Sequence, residues 1–288
     1  MTGAVGAGEV TIREMAPPDV TAAFRLSRAS GWNQTEADWR FLLDENRGRF
    51  VVAVRDGILV GTGGASCYGD RLAWVCMILV DPVARGRGIG SAIVAAVLDR
   101  VADVETVGLD ATPAGRGVYE RLGLAPVSGL VRVGGVADVV AETRGATRRL
   151  EARDRPAVLA LDLEAFGADR ARAIAWAHER GPALAWCALD EDGIAGYCLG
   201  REGDRAVHIG PVVARTAQTA RDLVARASGS VPGRELMLDV SPSPPEWAAA
   251  LHTLGLREQR PFTRMYRSGA APPGRPDLTF AVFGPELG

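Results

Sequence analysis

The stretch from residue 75 to residue 101 leaves the fewest folds open. An apolar run over residues 73–80 is followed by a turn at Asp81-Pro82 and then by Val83-Ala84-Arg85-Gly86-Arg87-Gly88-Ile89-Gly90-Ser91, after which an apolar segment reaches Val101. The pattern predicts a buried strand, a glycine loop and a helix. Glycines at 86, 88 and 90 remove the side chains that would keep a ligand away from the backbone. The helix that starts there points unpaired N–H groups and the positive end of its dipole at the same spot. Strand, loop and helix in that order make an anion site suited to a diphosphate.

Similar glycines serve other ligands. A nucleoside-triphosphate loop ends in Gly-Lys-Ser/Thr, and this chain contains no lysine, which excludes that reading. A dinucleotide fingerprint needs Gly-x-Gly-x-x-Gly with an acid about 20 residues further on. Here Gly86-x-Gly88 leads to Ser91, and Asp110 lies at a tempting distance, so the loop alone does not decide. That fold places its loop after the first strand of a parallel unit. In this chain three strands joined by hairpin-like turns precede it: residues 50–54, Asp56-Gly57, residues 58–65, the turn Tyr68-Gly69-Asp70, and then the strand before the loop.

Composition narrows the remaining classes. A length of 288 residues suggests two domains. A net charge of −2, with both signs mixed along the chain, gives no electrostatic case for nucleic acid or an anionic membrane. The opening Gly/Ala stretch does not read as a signal peptide, and no apolar run reaches about 18 residues, so a soluble cytoplasmic protein is expected. Cys67, Cys76, Cys187 and Cys198 form no Cys-x-x-Cys pair. With His178, His208 and His252 they offer no metal-ligand spacing, so reduced cysteines and no metal are expected.

The spacing Arg85-x-x-Gly88-x-Gly90, entered from a strand through Val-x-Pro, resembles the acyl-CoA pyrophosphate loop of the GNAT acetyltransferase superfamily. The element order read along residues 9–142 agrees with that fold. A strand over residues 10–13 is followed by a helix after Pro17-Pro18-Asp19, and by a second helix opened by Thr35-x-x-Asp38. The three hairpin strands and the loop helix come next, then a strand over residues 106–110 and a helix from Pro113 to Gly123. Residues 130–133 are expected to close the sheet.

Beyond Gly145 the pattern repeats. Leu109-Asp110-Ala111-Thr112-Pro113 is echoed by Leu238-Asp239-Val240-Ser241-Pro242, and in both copies a helix ending Leu-Gly-Leu follows, at 122–124 and 254–256. Asp56-Gly57-Ile58 is echoed by Asp192-Gly193-Ile194. The expected class is therefore an α/β protein with a mixed sheet, built as two tandem GNAT-like domains over residues 9–144 and 146–288. The second copy has Arg215-Thr216-Ala217-Gln218 where glycines should follow its strand, and Leu251 opposite Tyr119, so it is expected to be degenerate. The last segment starts at Ala270 with a proline-rich linker and ends in a strand-like run over residues 278–283 that should dock on one of the sheets.

The resemblance implies transfer of acetyl from acetyl-CoA to a primary amine of a small molecule, by direct attack in a ternary complex. Ile78, Leu79 and Val80 would line pantetheine, with a backbone N–H near Val80 facing the thioester oxygen. Arg85, Gly86, Arg87, Gly88, Ile89, Gly90 and Ser91 would hold the diphosphate. Tyr119, in Val-Tyr-Glu-Arg-Leu-Gly-Leu, would act as general acid toward the sulfur. Thr112 stands seven residues before it, where many members carry asparagine, and would replace part of that cofactor contact. Asp110 is the first candidate for general base, ahead of Asp70 and a water relay. Trp32, Asn33 and Gln34, in the first helix–helix connection, would border the acceptor pocket. An acyl-CoA sensor without turnover and an NAD(P)-dependent enzyme are the alternatives.

Overall fold

The computed structural model describes residues 9–136, 143–242, 244–267 and 273–288. The Gly/Ala opening over residues 1–8 and the start of the proline linker at 270–272 lie outside the described residues. The first half runs β1 (Val10–Glu14), α1 (Val20–Ala29), α2 (Glu36–Glu45), β2 (Val51–Arg55), β3 (Ile58–Tyr68), β4 (Leu72–Val80), α3 (Ile89–Arg100), β5 (Thr106–Ala111), α4 (Arg116–Arg121) and β6 (Leu124–Val136). The second half repeats it as β7 (Ala146–Arg149), α5 (Arg155–Phe166), α6 (Ala171–Arg180), β8 (Trp186–Asp190), β9 (Gly193–Arg201), β10 (Val207–Ala214), α7 (Ala217–Gly229), β11 (Glu235–Val240), α8 (Pro245–Thr253) and β12 (Arg257–Arg267). A short β13 (Thr279–Ala281) follows.

The repeat extends to individual side chains. Asp19 accepts from the Ala16 N–H at 2.8 Å and from Arg13 at 2.7 Å. Asp154 accepts in the same way from the Glu151 N–H at 2.9 Å and from Arg148 at 2.6 Å. Each aspartate thereby anchors the first strand of its half to the turn before the first helix. The Thr35 signature behaves as the sequence predicts: its hydroxyl accepts from the Asp38 N–H at 3.3 Å, and the Asp38 carboxylate accepts from the Thr35 N–H.

The described strands form one 13-stranded sheet in the order β1-β2-β3-β4-β5-β12-β6-β11-β13-β10-β9-β8-β7. This corrects the expectation that residues 130–133 close the first sheet, because β6 does not lie beside β5. The last strand of the second half, β12, pairs with β5 through Thr263↔Ala111 and Arg264↔Asp110. Strand β6 pairs with β12 on one side and with β11 on the other, through Leu238↔Val133. Each half thus lends its final strand to the other's side of the centre. The exchange is nearly two-fold about the pair Leu130↔Phe262, with Ser128↔Arg264 on one side and Arg132↔Arg260 on the other.

Alternation along these strands divides the core. Helix α3 packs Ile93 and Val97 over Val51, Ala53, Val75, Val107 and Met265. Helices α7 and α8 pack Leu223, Val224 and Trp247 over Val133, Cys198, Ile209 and Leu238. The opposite face is shared by both halves: Trp39, Phe50, Trp74 and Tyr266 meet Leu161, Ile174, Tyr197 and Leu199 in one cluster. Phe41 stacks on Trp176 there, with ring centroids 4.3 Å apart. At about 1.5–3 kcal/mol for each large apolar side chain, this shared face binds the two halves into one body.

The tail docks as expected, and at a particular place. Strands β10 and β11 pair in parallel only at Val207↔Leu236 and His208↔Met237, and then part. Strand β13 enters the gap, pairing with β10 through Val212↔Ala281 and with β11 through Val240↔Ala281. The remaining residues run into the shared core. There Trp74 Nε1 donates to the Pro285 carbonyl at 3.1 Å, the Ser66 hydroxyl to that of Glu286 at 2.8 Å, and the Tyr68 hydroxyl to that of Leu287 at 2.6 Å.

Candidate active site

The first half contains the same parting of strands without an inserted one. Strands β4 and β5 pair in parallel at Leu72↔Thr106, Ala73↔Val107 and Trp74↔Gly108, and beyond Trp74 no rung joins them among the described residues. Met77 sits there with φ of 57°, where the β3–β4 register shifts, and the Thr62 hydroxyl donates to its carbonyl at 2.8 Å. Such a bulge bends the strand away from its neighbour. The gap between the strands is therefore written into β4 itself. Its β4 wall is formed by Ile78, Leu79 and Val80, the residues expected to line pantetheine.

The glycine loop lies at the open end of this gap. Asp81 opens it by accepting from the Val83 N–H at 3.0 Å, and Arg85 Nε donates back to the Val80 carbonyl at 3.0 Å. Gly86 and Gly88 have φ of 78° and 79°, a region that other residues enter only with strain. A Cβ built at either would meet nothing within 4 Å, so this surface faces open space. Gly88 caps α3 without a side chain, which leaves the N–H groups of Ile89, Gly90 and Ser91 in the orphaned first turn. Arg85 and Arg87 are exposed beside them. Three free amides, two guanidinium groups and no Cβ in the way fit a diphosphate.

The equivalent loop in the second half, Arg215 to Ala217, borders a cavity of about 800 Å³, but its polar groups are already paired. Arg215 is held by both carboxylate oxygens of Glu164 at 2.7 Å, and the Thr216 hydroxyl already accepts from the Thr219 N–H at 3.1 Å. Strand β13 fills the gap that leads away from it.

Tyr119 is half-buried on α4, a helix started where the Thr112 carbonyl accepts from the N–H groups of Gly115 and Arg116 at 3.0 and 3.1 Å. Its ring packs against the α3-side core. Burial pushes its phenol up to about 12, with a smaller contribution in the same direction from the Cys76 thiol on β4. The hydroxyl therefore holds its proton at neutral pH.

Other expected site residues are otherwise engaged. Both oxygens of Asp110 accept from Arg264, at 2.9 and 2.8 Å, and the Arg264 guanidinium lies 4.5 Å from the Trp74 ring centre. Both carboxylate oxygens are thereby committed to one guanidinium. Asp70 lies exposed in the β3–β4 turn, at the opposite end of β4 from the bulge. The Asn33 side chain is consumed by the second half: its amide donates to the Ala206 carbonyl at 3.0 Å, and its oxygen accepts from the N–H groups of Arg205 and Ala206 at 2.9 Å. Gln34 donates to Glu286 at 2.8 Å. These two amides clamp the halves together, while Trp32 beside them stays partly exposed.

Sequence reasoning missed the residues that β12 brings in. Arg264 answers Asp110 just as Arg132, on β6, answers Asp239 at 2.8 and 2.7 Å. The matching Leu-Asp echoes signalled these positions, but their partners lie 154 and 107 residues away and no local pattern marks them.

Comparison with known proteins agrees with this geometry. A model described as the acetyltransferase (GNAT) family matches residues 17–124, and one described as an acetyltransferase (GNAT) domain matches residues 158–281. Among solved structures, a putative acetyltransferase from Pyrococcus horikoshii is 21% identical with a TM-score of 0.80, covering 97% of this chain and 96% of that one. A GCN5-related N-acetyltransferase from Sphaerobacter thermophilus is 21% identical with a TM-score of 0.65, covering 91% and 97%. No curated protein matched by sequence. The chain belongs to the GNAT acetyltransferases, with two domains of that family in tandem. Among the described residues no helix is long and apolar enough to cross a membrane.

Proposed function

We propose that this protein is an acetyl-CoA-dependent N-acetyltransferase whose chemistry belongs to the first half, the second serving as a degenerate partner. The observation that carries this reading is the contrast between the two strand gaps. The β4/β5 gap ends at open glycines and free helix amides, whereas the β10/β11 gap is taken by β13 and ends at capped, ion-paired residues.

In this reading Arg85, Arg87 and the amides of Ile89 to Ser91 hold the diphosphate, and pantetheine runs along Ile78 to Val80. An unpaired β4 amide past the bulge polarises the thioester carbonyl. The amine lone pair attacks the carbonyl carbon and the C–S bond breaks. The Tyr119 hydroxyl donates to the sulfur as charge develops there. The proton shed by the amine leaves through water, which restores the phenol, because Asp110 is committed to Arg264. Products are an amide and the free thiol of CoA.

The test is thiol release from acetyl-CoA across an amine panel, with Tyr119→Phe and Gly88→Glu run alongside. Tyr119→Phe should lower kcat by about 100-fold or more while acetyl-CoA still binds. Gly88→Glu, which puts an anion at a positive-φ position facing the diphosphate, should abolish binding measured by calorimetry. Unchanged turnover in Tyr119→Phe would remove the general-acid role.

A further inference from the structure

Arg260 on β12 is a cation without an answering charge. It is half-buried, its Nε is buried with no hydrogen-bond partner, and it forms no ion pair among the described residues. Its cross-strand neighbour is another guanidinium, Arg132, and both lie over the Phe262 ring, at 4.8 Å for Arg260 and 5.3 Å for Arg132. The acid within reach, Asp239, spends both oxygens on Arg132. His208, also buried here, has an unpartnered Nε2, and burial together with Arg201 and Arg132 holds it well below its usual range, so it is neutral and cannot answer the charge. Like charges directly opposite on a sheet are destabilising, and so is a buried donor left unpaired. Burial and Arg132 lower the Arg260 pKa, yet an arginine stays charged at neutral pH.

The internal symmetry says where this cation points. The pair Leu130↔Phe262 is the centre of exchange, so Arg260 is the counterpart of Ser128. Ser128 lines a cavity of about 800 Å³ at the open end of the second half's strand gap, together with Ser241, Pro242 and Glu246. By the same relation Arg260 stands at the open end of the β4/β5 gap. It is three residues along β12 from Thr263, the partner of Ala111 at the end of β5, which is ~10 Å at the rise of a strand.

We propose that the acceptor amine carries an anionic group, a carboxylate or a phosphate, that Arg260 binds. This rests on the acetyltransferase reading and deepens it: the second half supplies, on its exchanged strand, the residue that selects the substrate of the first. Charge-assisted pairing with a guanidinium is strengthened where the guanidinium is partly shielded from water and unpaired, as it is here.

The experiment compares kcat/KM for ω-amino carboxylates of graded length with their neutral amides and with the corresponding aminoalkyl phosphates, in the wild type, Arg260→Leu and Arg260→Lys. The wild type should prefer the anionic member of each matched pair by about 10- to 100-fold, the size of one charged hydrogen bond. Arg260→Leu should erase that preference through KM, leave the KM for acetyl-CoA within about two-fold, and not lower the Tm. Arg260→Lys should keep part of the preference. Preference for the phosphate over the carboxylate series, or the reverse, identifies which anion is read. Equal use of acid and amide by the wild type, or an unchanged preference in Arg260→Leu, overturns the proposal and leaves the acetyltransfer reading standing. Thiol release with no amine at all overturns that reading, and the proposal with it.

Discussion

The Arg132–Asp239 pair offers a direct measure of how firmly the exchanged strands join the halves. Arg132 comes from β6 of the first half and Asp239 from β11 of the second, with side chains 7% and 1% exposed and two hydrogen bonds of 2.8 and 2.7 Å. Asp239→Asn removes the charge and leaves a buried guanidinium beside a second one, Arg260. Breaking one member of such a pair costs about 3–5 kcal/mol, a large part of the 5–15 kcal/mol that holds an ordinary domain folded. At about 2–4 °C per kcal/mol the Tm should fall by roughly 6–20 °C. Replacing both residues, as Arg132→Met with Asp239→Leu, removes the stranded charge along with its partner and should recover most of the loss. Urea unfolding followed by tryptophan fluorescence and by far-ultraviolet circular dichroism supplies the assay. Because the sheet is continuous through β5-β12-β6-β11, both probes should report one transition, displaced together in the single variant. A loss below about 1 kcal/mol, or a variant in which one half melts while the other stays folded, would refute the reasoning.

Other expectations follow from the buried charges. The raised phenol of Tyr119 should leave kcat flat on the alkaline side up to about pH 11, so a decline centred near pH 8–9 that disappears in Tyr119→Phe would contradict its burial. Arg201 serves both Asp38 and Glu286, so Arg201→Met should cost about 3 kcal/mol or more in chemical denaturation. Glu286→Gln should stay within about 1 kcal/mol, since burial already raises that carboxyl and Arg201 keeps Asp38. Asp154, held at about 2 by Arg148, contributes stability that is present above pH 4 and lost as pH falls toward 2. With Arg148 about a third exposed, the expected contribution is about 1–2 kcal/mol, and Asp154→Asn should flatten the acid limb of a stability–pH curve by that amount.

Much of this molecule was readable along the chain because its elements are locally marked. Thr35 and Asp38 cap a helix by their own spacing, Gly86 and Gly88 mark a loop that needs positive φ, and the Leu109-Asp110 and Leu238-Asp239 echoes mark the duplication. The exchange of β6 and β12 was not legible. Nothing local in either strand names its neighbour, and the choice is made by contacts more than a hundred residues apart, such as Arg264 with Asp110 and Arg132 with Asp239. The same distance explains Asn33 and Gln34. Two amides beside an exposed indole read as a pocket rim, and only the approach of residues 204–206 and of Glu286 turns them into fasteners. The bulge at Met77 left no trace either, since its residues are as apolar as any buried strand.

Lending the final strand across the centre makes the molecule an indivisible duplicate. Cut at the connection after Val136, each piece would lack the strand that borders its own β5 or β11, and would carry one that only the other piece can use. Neither copy can be swapped, deleted or transplanted as a module without unravelling its twin. The second half, its own gap filled by β13, serves the first as framework through these shared strands.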